Sequence, residues 1–384
     1  MEAIAIIEDL PFIQSFKRKL RKKDYPNSTI ISIETAKLFK DVIRYTIQKK
    51  IILSYTDLLE LIRHLGKIFI AVDPMQFSIG NIIKRILYII REEIDKTISF
   101  QDSKRDSASN VKRIMSVTSL NRLIDYKPTK TLSKNDYNAS NDEEEEEVDV
   151  SLSAEMKEGL ENILKNIEEL IAELDTISEA IKDQAKDHIN EGEIILTANH
   201  SDQLEEFFIE ARQSKNFKVI VAESAPSLNG IIQVKNLISK GIDTTVISDA
   251  AVFAIMPKVN KVIIGTRSIM ANGGLISYNG VYNVCLCAQM FSIPVIVVGG
   301  TFKLTPMYPF GHETFNEFIS PDMIYGKDVE YKGDISRIKF YTPAYDYVPP
   351  ELITIYITNH GSQNPAYIYR LFSELYSQED YFLN

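Results

Sequence analysis

Residues 244–300 read TTVISDAAVFAIMPKVNKVIIGTRSIMANGGLISYNGVYNVCLCAQMFSIPVIVVGG. Three short runs rich in Val and Ile, at Thr244–Ser248, Lys261–Gly265 and Pro294–Val298, alternate here with segments of helical length. That alternation predicts parallel strands joined by crossovers that cover both faces of the sheet. Similar runs at Ile194–Thr197, Phe217–Ala222 and Thr354–Thr358 extend it in both directions. In such a sheet, ligands sit outside the carboxyl ends of the strands. The loops expected there contain Thr197–His200, Glu223–Pro226, Asp249, Gly265–Arg267 with Ala271–Gly274, and Gly299–Gly300. Glycines allow close backbone approach and helix N-termini aim N–H groups at an anion, so these loops predict an anion-binding cleft. A plain turn requirement explains the same glycines.

Upstream, Phe12–Phe100 has helical periodicity, as in Leu58, Leu59, Ile62, Leu65, Phe69 and Ile82, Ile83, Ile86, Leu87, Ile90. Ser54 followed by Asp57 reads as a capping box. From 101 to 150 the composition turns to Ser, Asn, Asp, Lys and Thr and ends in the acidic run Asp142–Glu147, the mark of a disordered acidic insert. Leu160, Ile163, Leu164, Ile167, Leu170, Ile171, Leu174, Ile177 and Ile181 then form one apolar stripe, predicting a long connecting helix over 151–188. The organisation expected is an N-terminal helical domain over 1–100, the insert, that helix, and an α/β domain over 189–384.

A chain of 384 residues is long enough for two domains. No apolar run is long enough to span a membrane, and MEAIAIIEDLPF lacks the basic start of a signal peptide, which predicts a cytosolic or nuclear protein. Cys285 and Cys287 are too close for an unstrained disulfide and too few for zinc. The six acids of Asp142–Glu147 carry more than half of the net charge of −10, so the rest is nearly neutral and no nucleic-acid footprint is expected.

His200 falls in the predicted cleft, but no carboxylate is spaced to orient its imidazole, so a solvated or backbone-bonded ring is expected. His64, His188, His312 and His360 are scattered, and no metal or cofactor is expected. KRKLRKK, comprising Lys17, Arg18, Lys19, Arg21, Lys22 and Lys23 around Leu20, reads either as a solvated helix face or as a contact for an acidic partner. RNA is disfavoured because no aromatic residues interleave with it. Tyr308, Phe310, Tyr345 and Tyr347 suit either interface anchors or core.

The carboxyl half resembles the family that joins subunits of eukaryotic translation initiation factor 2B to methylthioribose-1-phosphate isomerase and ribose-1,5-bisphosphate isomerase. The residues that carry the resemblance are VIVAESAP at Val219–Pro226, GIDTTVISDAAVFAIMPKVNKVIIGT at Gly241–Thr266, ANGG at Ala271–Gly274, FKLTPMYPF at Phe302–Phe310, YDYVPPELIT at Tyr345–Thr354 and NPAYIYRLFSELY at Asn364–Tyr376. ETA at Glu34–Ala36 and DPMQFSIGNIIKRILYIIREE at Asp73–Glu93 extend it into the amino half, where the family has its helical domain. The resemblance thus implies an α/β fold with a Rossmann-like parallel-sheet domain after the helical one.

It also implies where catalysis would reside. The isomerases use a Cys after the first strand, a phosphate-binding Arg and an Asp, and these positions correspond to Asn199, Ala225 and Arg267. The Lys expected after the NGG turn corresponds to Tyr278. Neither an amide nor a permanently charged guanidinium can shuttle a proton near neutral pH. The resemblance therefore implies a non-catalytic regulatory subunit of the guanine-nucleotide exchange factor for initiation factor 2, with exchange performed by another subunit. Its implied partners are the delta, alpha, gamma and epsilon subunits and the alpha subunit of initiation factor 2, whose phosphorylation it would help to sense. The basic segment and Arg85 are the candidate contacts. A phosphosugar isomerase with rearranged groups, or a sugar-phosphate or nucleotide effector module, are the competing readings.

Overall fold

The protein, seen as a computed structural model, is described over residues 7–49, 51, 54–106, 154–311, 315–320, 322–325 and 338–383. Four helices open it: α1 (Pro11–Arg21), α2 (Ser28–Gln48), α3 (Tyr55–Val72) and α4 (Phe77–Asp106). Each of the first three has a local cause at its start. Pro11 sits in the first turn of α1, where a missing N–H does no harm. Asn27 Oδ1 accepts the Ile30 N–H at 2.9 Å before α2, and Ser54 Oγ accepts the Asp57 N–H at 3.1 Å before α3, the serine half of the expected capping box. Phe69 of α3 meets Phe16 of α1 and Phe39 of α2 edge to face, with centroids 5.2 and 5.9 Å apart. Helix α4 continues to Asp106, into the stretch expected to be an insert; the acidic run lies outside the described residues.

Helix α5 (Ala154–Lys182) buries Leu160, Ile163, Ile167, Leu170, Leu174, Ile177 and Ile181, the stripe expected of it. It packs on α2 and α4 and, further along, on the α/β domain. That domain runs α6 (Ala185–His188), β1 (Ile194–Ala198), α7 (Asp202–Arg212), β2 (Lys218–Ala222), α8 (Asn229–Ser239), β3 (Asp243–Ile247), α9 (Val252–Ile255), β4 (Lys261–Gly265), β5 (Ser268–Met270) and β6 (Leu275–Tyr278). It continues with α10 (Val281–Met290), β7 (Val295–Val298), β8 (Leu304–Thr305), α11 (Asp322–Tyr325), β9 (Tyr345–Val348), β10 (Ile355–Thr358), β11 (Gly361–Gln363) and α12 (Ile368–Leu375).

The main sheet has the order β11-β10-β7-β4-β1-β2-β3 and is parallel apart from β11. Successive residues of a strand enter different cores. Ile195, Val219, Ile263 and Ile296 join the core shared with the helical domain, whereas Leu196, Val262, Val295 and Val297 join the one beneath α10 and α12. Burial on both faces is why these strands read as unbroken apolar runs. The chain steps outward from β1 to β3 and then returns to the other side of β1 with β4, so the topological switch lies between β1 and β4.

One expectation fails here. Ala271–Gly274 does not line the cleft; it is the turn of a β5–β6 hairpin in a second sheet of order β8-β5-β6-β9. Gly273 has φ +83°, and a Cβ there would lie 2.4 Å from the Pro365 carbonyl oxygen, so this glycine serves the hairpin turn. Met270, Ile276 and Tyr345 of the second sheet pack on Met75 and Phe77 at the start of α4, forming part of the seam between the domains.

Candidate functional site

The loops after β1 and β4 meet at the switch point, where a Cβ on Gly265 would lie 2.7 Å from the Ser201 Cβ. Around them the backbone is tied down. The Asn199 N–H donates to Ser224 Oγ at 2.8 Å, and the Ser201 N–H donates to Gln233 Oε1 at 3.1 Å. Asp249, the acid of this crevice, accepts the Ser224 N–H at 3.0 Å and the Ala225 N–H at 2.7 Å. Its two oxygens thus hold a loop in which Ser224 has φ 62°. Gly230 allows that loop to close, since a Cβ there would lie 2.0 Å from the Ala222 carbonyl oxygen.

The side chains of the crevice are polar and poorly matched. Thr197 Oγ1, both amide atoms of Asn199 and Gln203, and Gln233 Nε2 are buried without a protein hydrogen-bond partner. They are six of the eight such atoms among the described residues, so the mismatch is concentrated at this one place. Lys303, in the turn that follows Gly299–Gly300, points its stem at Gly299 and makes no ion pair among the described residues. Burial pushes its amine down to about 8, against the opposing pull of Asp202. The sequence reading missed this cation, although FKLTP at 302–306 was one of its motifs.

Two cleft expectations need correction. His200 does have carboxylates beside it: its Nε2 lies 3.5 Å from Asp202 Oδ1 and 3.4 Å from Glu205 Oε2, because the first turn of α7 folds back beneath the ring. Among the described residues this imidazole bonds to no hydroxyl or thiol, so no nucleophile is activated by it. Arg267 leaves the cleft altogether. Its Nε donates to the Met75 carbonyl at 2.9 Å and its Nη2 to Gln76 Oε1 at 3.0 Å, and the guanidinium stacks 4.9 Å from the Tyr345 ring centroid. Asn199 is buried in the crevice and Ala225 is exposed at its rim. The structure therefore brings two of the three family positions together and turns the third toward the domain seam.

The basic segment divides by the same kind of accounting. Lys17 approaches Glu8 at 3.9 Å, Lys19 Nζ bonds Glu34 at 2.5 Å and Lys23 Nζ bonds Glu317 at 3.0 Å. Arg18, Arg21 and Lys22 are exposed on α1 and its end with no ion pair among the described residues. Arg85 faces inward to the end of α12, where its Nη1 donates to the Leu375 carbonyl at 3.2 Å. Tyr345 is buried and Tyr347 half-buried, while Tyr308 and Phe310 are exposed. A cavity of about 430 Å³ opens at the seam between α4, α5 and α12, lined by Arg85, Glu173, His360 and Tyr367 among others. Among the described residues no cluster of three or more metal-ligating side chains occurs, and no helix is long and apolar enough to cross a membrane.

Residues 26–365 match the family described as the initiation factor 2 subunit family. The chain belongs to that family. It is 35% identical over 380 residues to the translation initiation factor eIF2B subunit beta of Dictyostelium discoideum, covering 96% of this chain and 95% of that one. The crystal structure of eIF2B beta from Chaetomium thermophilum shares its fold, with a TM-score of 0.67 at 22% identity over 99% of this chain and 97% of the other. A chain of the tetrameric eIF2B-beta2-delta2 complex from C. thermophilum gives a TM-score of 0.61 at 22% identity over 98% and 99%. The family read from the quoted motifs and the fold class of a helical domain followed by a Rossmann-like α/β domain are borne out.

Proposed function

We propose that this chain is a non-catalytic regulatory subunit of the cytoplasmic guanine-nucleotide exchange factor for translation initiation factor 2. It assembles with delta, alpha, gamma and epsilon subunits and helps to bind the alpha subunit of initiation factor 2 and to sense its phosphorylation. The observation that carries the reading is the outer edge of the main sheet. The edge strand β3 and its flanking helices expose Ile232, Ile238, Val246, Phe253 and Met290, and Phe253 packs on Phe291 at 5.2 Å. An exposed apolar face of this kind on an edge strand is a surface for another chain. The near-full-length likeness to a named beta subunit supports the same reading.

The family positions of the crevice do not favour the isomerase reading. Asp249 is engaged by two backbone N–H groups and Arg267 by the helical domain, so neither serves as a proton shuttle beside Asn199, and Lys303 is the buried amine there without an ion pair among the described residues. Arg18, Arg21 and Lys22 are the part of the basic segment free to meet an acidic or phosphorylated surface. Co-expression with a delta-type subunit followed by size-exclusion chromatography tests the assignment: a stable heteromer is expected. A monomer that turns over aldose phosphates would replace this reading with the isomerase one.

A further inference from the structure

The C-terminal end of the basic helix is strained and held from a distance. Lys23 has φ 49°, a left-handed conformation that a side chain adopts at a cost, at the position after a helix where glycine is usual. The Lys23 N–H donates to the Leu20 carbonyl at 2.9 Å and the Asp24 N–H to the Lys19 carbonyl at 3.1 Å, which completes the terminating turn. Lys23 Nζ then reaches Glu317, 294 residues away, at 3.0 and 3.2 Å. Glu317 also accepts the Tyr345 hydroxyl at 3.2 Å, and the Tyr345 ring carries the Arg267 guanidinium.

The path does not stop at Arg267. That residue holds Met75 and Gln76 in the turn between α3 and α4, and the Gln76 N–H donates to the Asp73 carbonyl at 3.2 Å. Asp73 in turn accepts the Tyr25 hydroxyl at 2.5 Å, two residues beyond Lys23. The contacts close into a ring: Lys23, Glu317, Tyr345, Arg267, Met75–Asp73 and Tyr25. Half of its members belong to the helical domain and half to the α/β domain.

We propose that this ring is a conformational coupling, through which Arg267 fixes the end of the basic helix and the turn before α4 as one unit with the α/β domain. Strain at Lys23 gives the helix end a second conformation to fall into when the ring opens. The orientation of Arg18, Arg21 and Lys22 is then set by a residue at the end of β4. The inference rests on geometry alone and stands whether or not these cations meet the partner named above.

Hydrogen exchange on the full chain tests it. Arg267→Met should accelerate exchange roughly tenfold both at 73–79 and at 19–25, leaving β1 and β2 unchanged as the control for folding. Acceleration confined to 73–79 would overturn the coupling. Lys23→Gly combined with Tyr25→Phe removes the strain and both side-chain links from 19–25 to the rest of the ring, so in that background Arg267→Met should no longer affect 19–25; the same acceleration there in both backgrounds would also overturn it. Should Arg267→Met disturb β1 and β2, Tyr345→Phe replaces it. That change deletes only the hydroxyl bond to Glu317 and should accelerate 19–25 while sparing 73–79; no acceleration at 19–25 would refute the ring.

Discussion

Asp380, fully buried near the C-terminus, accepts the Arg63 Nη2 at 2.7 Å and its Nε at 3.1 Å, joining the last turn of the chain to the middle of α3. Arg91 of α4 approaches the same carboxylate, with its Nε 2.6 Å from Oδ2. One acid thus neutralises two cations from two helices. Replacing it with Ala leaves Arg63 uncompensated in a half-buried site and Arg91 with Glu379 alone, 2.5 Å from its Nη1, and broken pairs of this kind destabilise by up to about 3–5 kcal/mol. Urea unfolding of Asp380→Ala should show a loss of that order.

Buried amines predict an unusual response to pH. Burial pushes Lys84 and Lys303 down to about 8 from the ordinary lysine value of 10.5. Between these values the unfolded chain binds more protons than the folded one, so stability rises with pH from about 8 toward 10. At lower pH both amines are charged in either state and the folded protein carries the desolvation penalty. Lys303→Met should raise stability at pH 7 by up to about 3 kcal/mol, at roughly 1.4 kcal/mol per pKa unit, and flatten part of that rise. Chemical denaturation at pH 7, 8 and 9.5 measures both effects; a neutral-pH loss of stability would contradict them.

Gly230 should tolerate no side chain. An added Cβ meets backbone, the Ala222 carbonyl oxygen at 2.0 Å, so the loop closed by Asp249 must move. Overpacking of this type costs about 1–3 kcal/mol. A thermal melt of Gly230→Ala should fall accordingly, whereas Gly192→Ala, with open space around it but φ +76°, should fall only by the smaller backbone penalty.

Assembly and folding should separate at the sheet edge. Val246→Asp and Phe253→Asp change exposed positions, so each should shift stability by no more than about 0.5 kcal/mol. The same changes should weaken a delta-type heteromer by more than tenfold, since apolar anchors at interface centres carry about 2 kcal/mol or more each. Analytical ultracentrifugation reads the second effect and circular dichroism the first.

The basic segment offers a matching contrast. Charge reversal at Arg18, Arg21 and Lys22 breaks no ion pair among the described residues and should leave folding intact while slowing association with initiation factor 2 in a salt-dependent way. Surface plasmon resonance at two ionic strengths checks this. Unchanged association rates would remove these cations from the binding surface.

Five parallel strands of the main sheet were legible because each is an apolar run buried on both faces, the exposed edge strand β3 because its TTVI run is β-branched, and the α5 stripe because its spacing repeats every three or four residues. The second sheet was not. Its strands are two to four residues long, β8 being only Leu304–Thr305, and so short a run shows no period. That is why Ala271–Gly274 was placed in the cleft when it forms a hairpin turn. Lys303 went unnoticed because nothing in FKLTP announces that its amine will be buried, and Asp380, in the polar run QED, reads as solvated tail.

Local sequence therefore determined which segments are helix or strand, where the loops after the strands fall, and which family the motifs belong to, because periodicity and turn chemistry act over a few residues. Only the tertiary structure decided what those loops do. Arg267 and its acceptor Met75 stand 192 residues apart, and Arg63 and Asp380 stand 317 apart. The direction of a guanidinium depends on which backbone the folded chain carries to it, and no spacing along the sequence records that distance.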